Sequence, residues 1–479
     1  MSDDVVDLSA QDLRQRLIAR EVSAREVAAA HLARIELVDG VVNAVVTRTA
    51  ELALRRAGEL DDLLARTGAP VGPLHGLPVV HKDLVLTAGV RTTFGSQAFA
   101  DNVPGVDDVI VTRMRAAGSV MVGKSNTPEF GAGSHTFNPV FGMTRNPWDT
   151  ERSCGGSSGG AAVAVACGMA ALADGSDLGG SLRNPTAFCG VVGLRPSVGR
   201  VPGTGPRATR TRLPVQGPVA RTVGDVALLL GAIAGPHALA PCALAEPGAT
   251  FLPPLPPLDR PLRVAVSVDL GDLPIHPHIR SVFASLVPAL ESLGWEVERA
   301  APDLRGADVA FETIRAWYTA MRHASLPPAA LDQAKAVIRE EAARGQALGA
   351  AELGAAFEAE TRLVQRASNF FGRHDLFVCP ATQVPPFPVD QEWVTEIDGQ
   401  PMANYVEWMR VCSRITMLGV PALSMPIGFT PDGLPVGVQL VAPHGADRTV
   451  LRAGAMLEAE LGLALRPPIA ALARAGRRS

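Results

Sequence analysis

Between Ser153 and Arg183 the chain reads S-C-G-G-S-S-G-G, then an apolar run from Ala161 to Ala173, then D-G-S-D-L-G-G-S-L-R. Two serines in glycine-rich turns bracket one short segment apolar enough to be buried. Glycines beside Ser157 and Ser158, and Gly179 and Gly180 ahead of Ser181, let the backbone take positive φ and come close to a ligand. Such loops aim several N–H groups at one point. Donors converging beside a hydroxyl meet the requirement of an oxyanion hole, because charge developing on a carbonyl oxygen must find its donors already in place.

A hydroxyl is a weak nucleophile without a base. No histidine lies inside this stretch. Upstream, L-H-G-L-P-V-V-H-K-D-L runs an apolar strand, Leu77 to Val80, into Lys82. A lysine at a buried strand end loses its hydration and can become neutral enough to accept a proton, relayed through one serine to the other. Lys124 also closes a strand, S119-V-M-V-G-K, but a turn with Asn126 and Pro128 follows it, where a solvated or structural lysine is expected. A phosphate-binding loop is the competing reading of G-G-S-S-G-G; no G-K-[S/T] follows and no Walker-type aspartate strand is present.

Lys82, Ser157 and Ser181, set in G-G-S-S-G-G and G-S-D-L-G-G-S-L-R, resemble the amidase signature family of serine hydrolases. Val71 to Gly199 fits almost without gaps, and G-V-P-A-L-S-M-P-I-G-F at 419–429 with D-G-L-P-V-G-V-Q-L at 432–440 is similar to the family's C-terminal portion. The resemblance implies an α/β fold: one large domain over residues 1–479, a central mixed β-sheet with helices on both faces. Within it, 1–68 would be a helical cover, 69–235 the signature core, and 236–479 the part that completes the sheet and shapes the pocket. The implied catalytic set is Lys82, Ser157 (preceded by a cis peptide bond) and Ser181. Backbone N–H groups of Leu178, Gly179, Gly180 and Ser181 would hold the oxyanion. Gly131, Ala132, Gly133 and Ser158 would border the substrate, and Asp177 and Arg183 would brace the loop. Ser176 is expected to be an ordinary polar loop residue. No cofactor or metal is called for.

Net charge of −4 argues against nucleic acid or an anionic membrane as the main partner. The expected partner is a small-molecule amide, with a homodimer left open. Six cysteines, at 154, 167, 189, 242, 379 and 412, lack metal-ligand spacing and read as reduced and mostly buried. The acidic start M-S-D-D-V-V-D-L-S lacks a signal peptide's basic end and apolar core, and no uncharged run approaches the roughly 20 residues of a membrane span. A soluble cytoplasmic protein is expected.

The first 68 residues read as helices, with Ser9 and Asp12, then Ser23 and Glu26, as capping pairs. Leu13 and Leu17, then Val27, Leu32 and Ile35, make their apolar faces. Ala161 to Ala173 reads as one buried helix, its N-terminus aimed at the Ser157 region. After Gly235 comes a proline-rich surface excursion, then a strand at P-L-R-V-A-V-S-V-D-L, a helix from Ile279 to Leu293, a strand at W-E-V-E and mostly helix from 309 to 375. His31 is expected to be a core histidine and His135 a loop histidine bonded to backbone. Trp317, Tyr318, Tyr405, Trp408 and Cys412 are pocket candidates more often suited to packing. Arg410, Arg414 and Asp375 are candidates for holding charged ends of a substrate.

Three functions fit: a free-standing amidase cleaving linear, fairly apolar amides, with esters not excluded; the glutaminase subunit of a tRNA-dependent amidotransferase; or a non-catalytic binding protein. The last is disfavoured by three intact catalytic positions.

Overall fold

The computed structural model describes residues 2–203, 212–324, 326–463 and 465–476. Its core is one eleven-stranded mixed sheet. In chain order the strands are β1 (Val45–Arg48), β2 (Pro78–Lys82), β3 (Val120–Ser125), β4 (Leu172–Asp177), β5 (Val192–Arg195) and β6 (Val215–Ala220), followed by β7 (Arg263–Val266), β8 (Glu296–Arg299), β9 (Leu376–Pro380), β10 (Ala422–Phe429) and β11 (Pro435–Val441). Their spatial order is β1-β3-β2-β4-β6-β5-β10-β11-β9-β7-β8. Because the sheet takes strands from both ends of the chain, its hydrophobic core is continuous from Ala10 to Leu472. Helices flank both faces, as the sequence implied.

Parallel pairing of β3, β2 and β4 places three strand ends side by side. All five residues of β2 are buried, as expected of a strand covered on both faces. Its partner β4 carries Gly175 because a Cβ there would lie 2.8 Å from Ser158 Oγ.

The N-terminal helices begin where their caps predict. Ser23 and Glu26 form a reciprocal capping box, and Ser9 Oγ accepts the Asp12 N–H. The region is not all helix, however: Val45–Arg48 is an edge strand, antiparallel to β3. The V-V-T-R run is too short and too β-branched to sustain a turn of helix against that open edge. The segment Ala161–Ala173 also divides. The helix covers Gly159–Ala166, Gly168 turns the chain at φ 70°, and Leu172 and Ala173 already belong to β4. Gly160 lets that helix sit directly on the backbone of Asn126, whose nitrogen would be 2.3 Å from an added Cβ. The helix expected from Ile279 to Leu293 is two, Pro277–Ala284 and Val287–Ser292, because Pro288 has no N–H to continue the first. Among the described residues no helix is long and apolar enough to cross a membrane.

Candidate active site

Strand β2 pairs with β4 as far as Val80 opposite Ala173, and the ladder stops there although both strands continue. Asp174 occupies the gap. One carboxylate oxygen accepts the backbone N–H of Lys82 at 2.9 Å, and the other pairs with His81 Nδ1. All three side chains are buried.

The Lys82 side chain turns toward three hydroxyls. Its Nζ lies within hydrogen-bond distance of Ser157 Oγ at 2.7 Å, Ser158 Oγ at 2.9 Å and Ser176 Oγ at 3.1 Å. Burial pushes its pKa down to about 7; Asp174 and Asp177 pull it back upward, and Arg322 pushes it further down. At neutral pH a large share of Lys82 is therefore an amine with a free lone pair.

The peptide bond between Gly156 and Ser157 is cis. Two residues on, the helix Gly159–Ala166 begins, and Thr136 Oγ1 takes its first N–H at 3.2 Å. Ser181 lies in the turn after β4, its carbonyl accepting the Ser158 N–H at 3.2 Å. Ser181 is half-buried, as is Ser176, and opens onto a cavity of about 70 Å³, whose wall includes Gly131, Ala132, Gly133 and Gly179. Among the described residues no hydrogen bond joins the hydroxyls of Ser157 and Ser181; apo sites often leave such links to be closed by substrate.

Asp177 and Arg183 form a two-pronged ion pair at 3.0 Å and 3.0 Å, both fully buried, and Arg195 adds a contact to Asp177 at 3.3 Å. Burial opposes ionisation of Asp177, but the two guanidinium groups outweigh it and hold its carboxyl well below the usual range. This carboxylate also takes the N–H groups of Gly180 at 2.9 Å and Leu182 at 3.1 Å, which sets the shape of the turn. Gly180 therefore differs from the sequence expectation: its N–H is committed to Asp177. The N–H groups of Leu178, Gly179 and Ser181 have no partner among the described residues.

The family profile described as Amidase matches residues 26–451. This protein belongs to the amidase signature family. It is similar to the A-type subunit of the glutamyl-tRNA(Gln) amidotransferase of Moorella thermoacetica, with 37% identity covering 94% of this chain and 96% of that one. Similarity to an acylamidase of Rhodococcus erythropolis is of the same order, 34% identity over 94% and 95% of the two chains. Among solved structures, a 6-aminohexanoate cyclic dimer hydrolase superposes with a TM-score of 0.87 at 27% identity, covering 97% of this chain and 99% of that one. A bacterial aryl acylamidase of the same family superposes equally well, TM-score 0.87 at 25% identity, with 99% of each chain covered.

The hydrogen bonds of His135 and His31 go to groups other than Lys82, Ser157 and Ser181. His135 bonds Val389 O at 2.9 Å and Ser153 Oγ at 2.8 Å, and burial depresses its pKa to about 4. His31 is buried and bonds Val27 O. Lys124 is structural, as its turn suggested, but buried rather than solvated, donating to Val85 O and Thr87 Oγ1. Of the pocket candidates, Tyr318 and Tyr405 line the cavity over Ser181. Trp408 is buried against Phe188, and Trp317 packs on Phe357. Cys412 lies behind Gly180, its Sγ against Asn184 and Ala381. Arg410, Arg414 and Asp375 are all held in ion pairs and none lines that cavity.

Sequence reasoning passed over His81, Asp174, Phe311 and Arg322 and discounted Ser176. Signals were available. His81 directly precedes Lys82 at the end of an apolar strand, Asp174 stands two positions before Ser176, and Tyr318 and Arg322 share one helical face at i, i+4.

Proposed function

We propose that this amidase hydrolyses a carboxylic amide through a Ser181 acyl-enzyme and acts as a free-standing enzyme. The observation that supports it most is the buried Lys82, with Nζ 2.7 Å from Ser157 Oγ and a pKa brought to about 7. Neutral Lys82 takes the Ser157 proton while Ser157 takes that of Ser181, and Ser181 Oγ attacks the carbonyl carbon. The oxyanion is met by the N–H groups of Leu178, Gly179 and Ser181. On collapse the C–N bond breaks, and the proton returns from Lys82 through Ser157 to the departing amine. Water then uses the same relay to release the acid. Asp177 and Arg183 shape the turn and exchange no proton.

A glutaminase role is favoured by the similarity to the amidotransferase relative. Against it, the cavity over Ser181 is walled by Phe130, Phe311, Met409 and other apolar groups, with Arg315 and Arg322 as charged members and, among the described residues, no carboxylate in its lining to receive an α-ammonium. An amide without a cationic acyl group fits this wall better.

The deciding assay is purified protein alone against aryl, alkyl and amino-acid amides, glutamine included. Cleavage of simple amides, abolished in Ser181→Ala, is the expected result. Equal activity of Ser181→Ala and wild type would remove the mechanism, and activity confined to glutamine would favour the second reading.

A further inference from the structure

A second cavity, about 280 Å³, lies beside the one over Ser181, and Tyr318 and Arg322 border both. Among the described residues its walls are chiefly apolar, including Leu84, Val109, Val198, Val201, Pro214 and Val215. Ser176 also lines it, and Ser176 Oγ is one of the three hydroxyls within reach of Lys82 Nζ. The cavity thus opens toward the lysine side of the relay, whereas Ser181 faces the smaller one.

We infer that this larger chamber receives the amine half of the substrate, so that the preferred substrates are N-substituted amides with a short acyl group and an apolar aryl or alkyl amine. The inference rests on the hydrolytic reading above and follows from where the protons must go. The carbonyl carbon has to meet Ser181, and the departing nitrogen has to collect its proton from the Lys82–Ser157 side. The amine substituent therefore projects toward Ser176, and the acyl group occupies the cavity of about 70 Å³ beside Ser181. Size sets the class. An apolar cavity of roughly 150 Å³ accepts benzene, while departing ammonia needs about the room of one water. A chamber of 280 Å³ has space for an aromatic ring that a primary amide would leave unused.

Val109 and Ala243 are partly exposed chamber residues on separate segments, so enlarging either fills the space without entering the sheet. The test compares wild type, Val109→Trp and Ala243→Phe on a matched pair, acetanilide and acetamide, and measures binding of benzylamine to each protein by ligand-observed NMR. Expected are a wild-type kcat/KM ratio favouring acetanilide by about tenfold or more, a ratio that falls about tenfold in both variants, and benzylamine binding weakened to match. If acetamide and acetanilide decline together or the ratio stays within about twofold, the amine assignment is overturned. If wild type cleaves neither amide, the hydrolytic reading is judged by the wider amide panel and the benzylamine comparison decides the chamber: unchanged binding in both variants overturns it.

Discussion

Asp174 grips Lys82 by its backbone, accepting the N–H at 2.9 Å, and holds the neighbouring His81 with its other oxygen. The carboxylate both replaces the missing rung of the β2–β4 ladder and acts on the Lys82 amine as a nearby charge. The charged groups around that amine are Asp174 and Asp177 from β4 and Arg322 from the helix Ala307–His323. Asp174→Asn keeps an oxygen for the Lys82 N–H and deletes the charge. Lys82 then becomes a weaker base, and the acid-side inflection of Ser181 labelling by a fluorophosphonate probe should move to lower pH by roughly half a unit or more. An inflection that stays in place would sink this role for Asp174.

The Lys82 amine must be unprotonated to start the proposed relay. With its pKa lowered to about 7, protonation removes the active form as pH falls, so kcat/KM should drop about tenfold per unit below that point. Lys82→Ala should lose at least about a thousandfold in kcat/KM and lose the inflection with it. A pH–rate profile flat from 5 to 8 in the wild type would contradict a lysine base.

His135 is neutral near pH 7 because burial depresses its pKa to about 4. His135→Phe should lower stability by about 1–3 kcal/mol through the unpaired Ser153 hydroxyl and Val389 carbonyl, while the inflection stays where it is. Thermal denaturation and the labelling profile read the two effects separately. Movement of the inflection would bring an imidazole into the relay.

Asp177 stands between two buried guanidinium groups. Asp177→Asn should cost about 3–5 kcal/mol because Arg183 and Arg195 would remain charged without their counter-ion. In the wild type the carboxyl titrates lower folded than unfolded, so its contribution is complete above the unfolded value near 4 and declines as pH falls below it. Denaturant midpoints of both proteins from pH 7 to pH 3 check this: the gap between them should narrow with acid. A constant gap would argue that Asp177 acts by packing alone.

Gly160→Ala tests the contact of the short buried helix with the backbone. Its Cβ would meet Asn126 N at 2.3 Å and Asn126 O at 2.7 Å, and neither atom can swing aside as a side-chain end does. Soluble yield or melting temperature should fall sharply, by several kcal/mol in stability. A variant as stable as wild type would show that the helix can shift on the sheet.

Some elements were legible because their cause is local. A capping serine with glutamate three residues on, as at Ser23 and Glu26, marks a helix start wherever it occurs. Glycines around Ser157 and Ser181 mark turns because other residues would be strained there. The strand at Val45–Arg48 was hidden because an edge strand takes its stability from β3, some seventy residues away in sequence. Ala161–Ala173 looked uniform because hydrophobicity alone does not separate a buried helix from the buried strand that follows it.

The linear order of residues pointed to the chemistry proposed for this protein: a lysine ending an apolar strand and two serines in glycine turns, each readable from its nearest neighbours. Which donors remain open, which charges surround the lysine, and how the space beside Ser181 divides were decided only when β2 and β4 came together. Hydrogen-bond competition for the Gly180 N–H, the field of Asp174 and the walls shared through Tyr318 and Arg322 all depend on distances between segments far apart in the chain. Those distances are set by packing of the whole sheet, and no short window of sequence contains them.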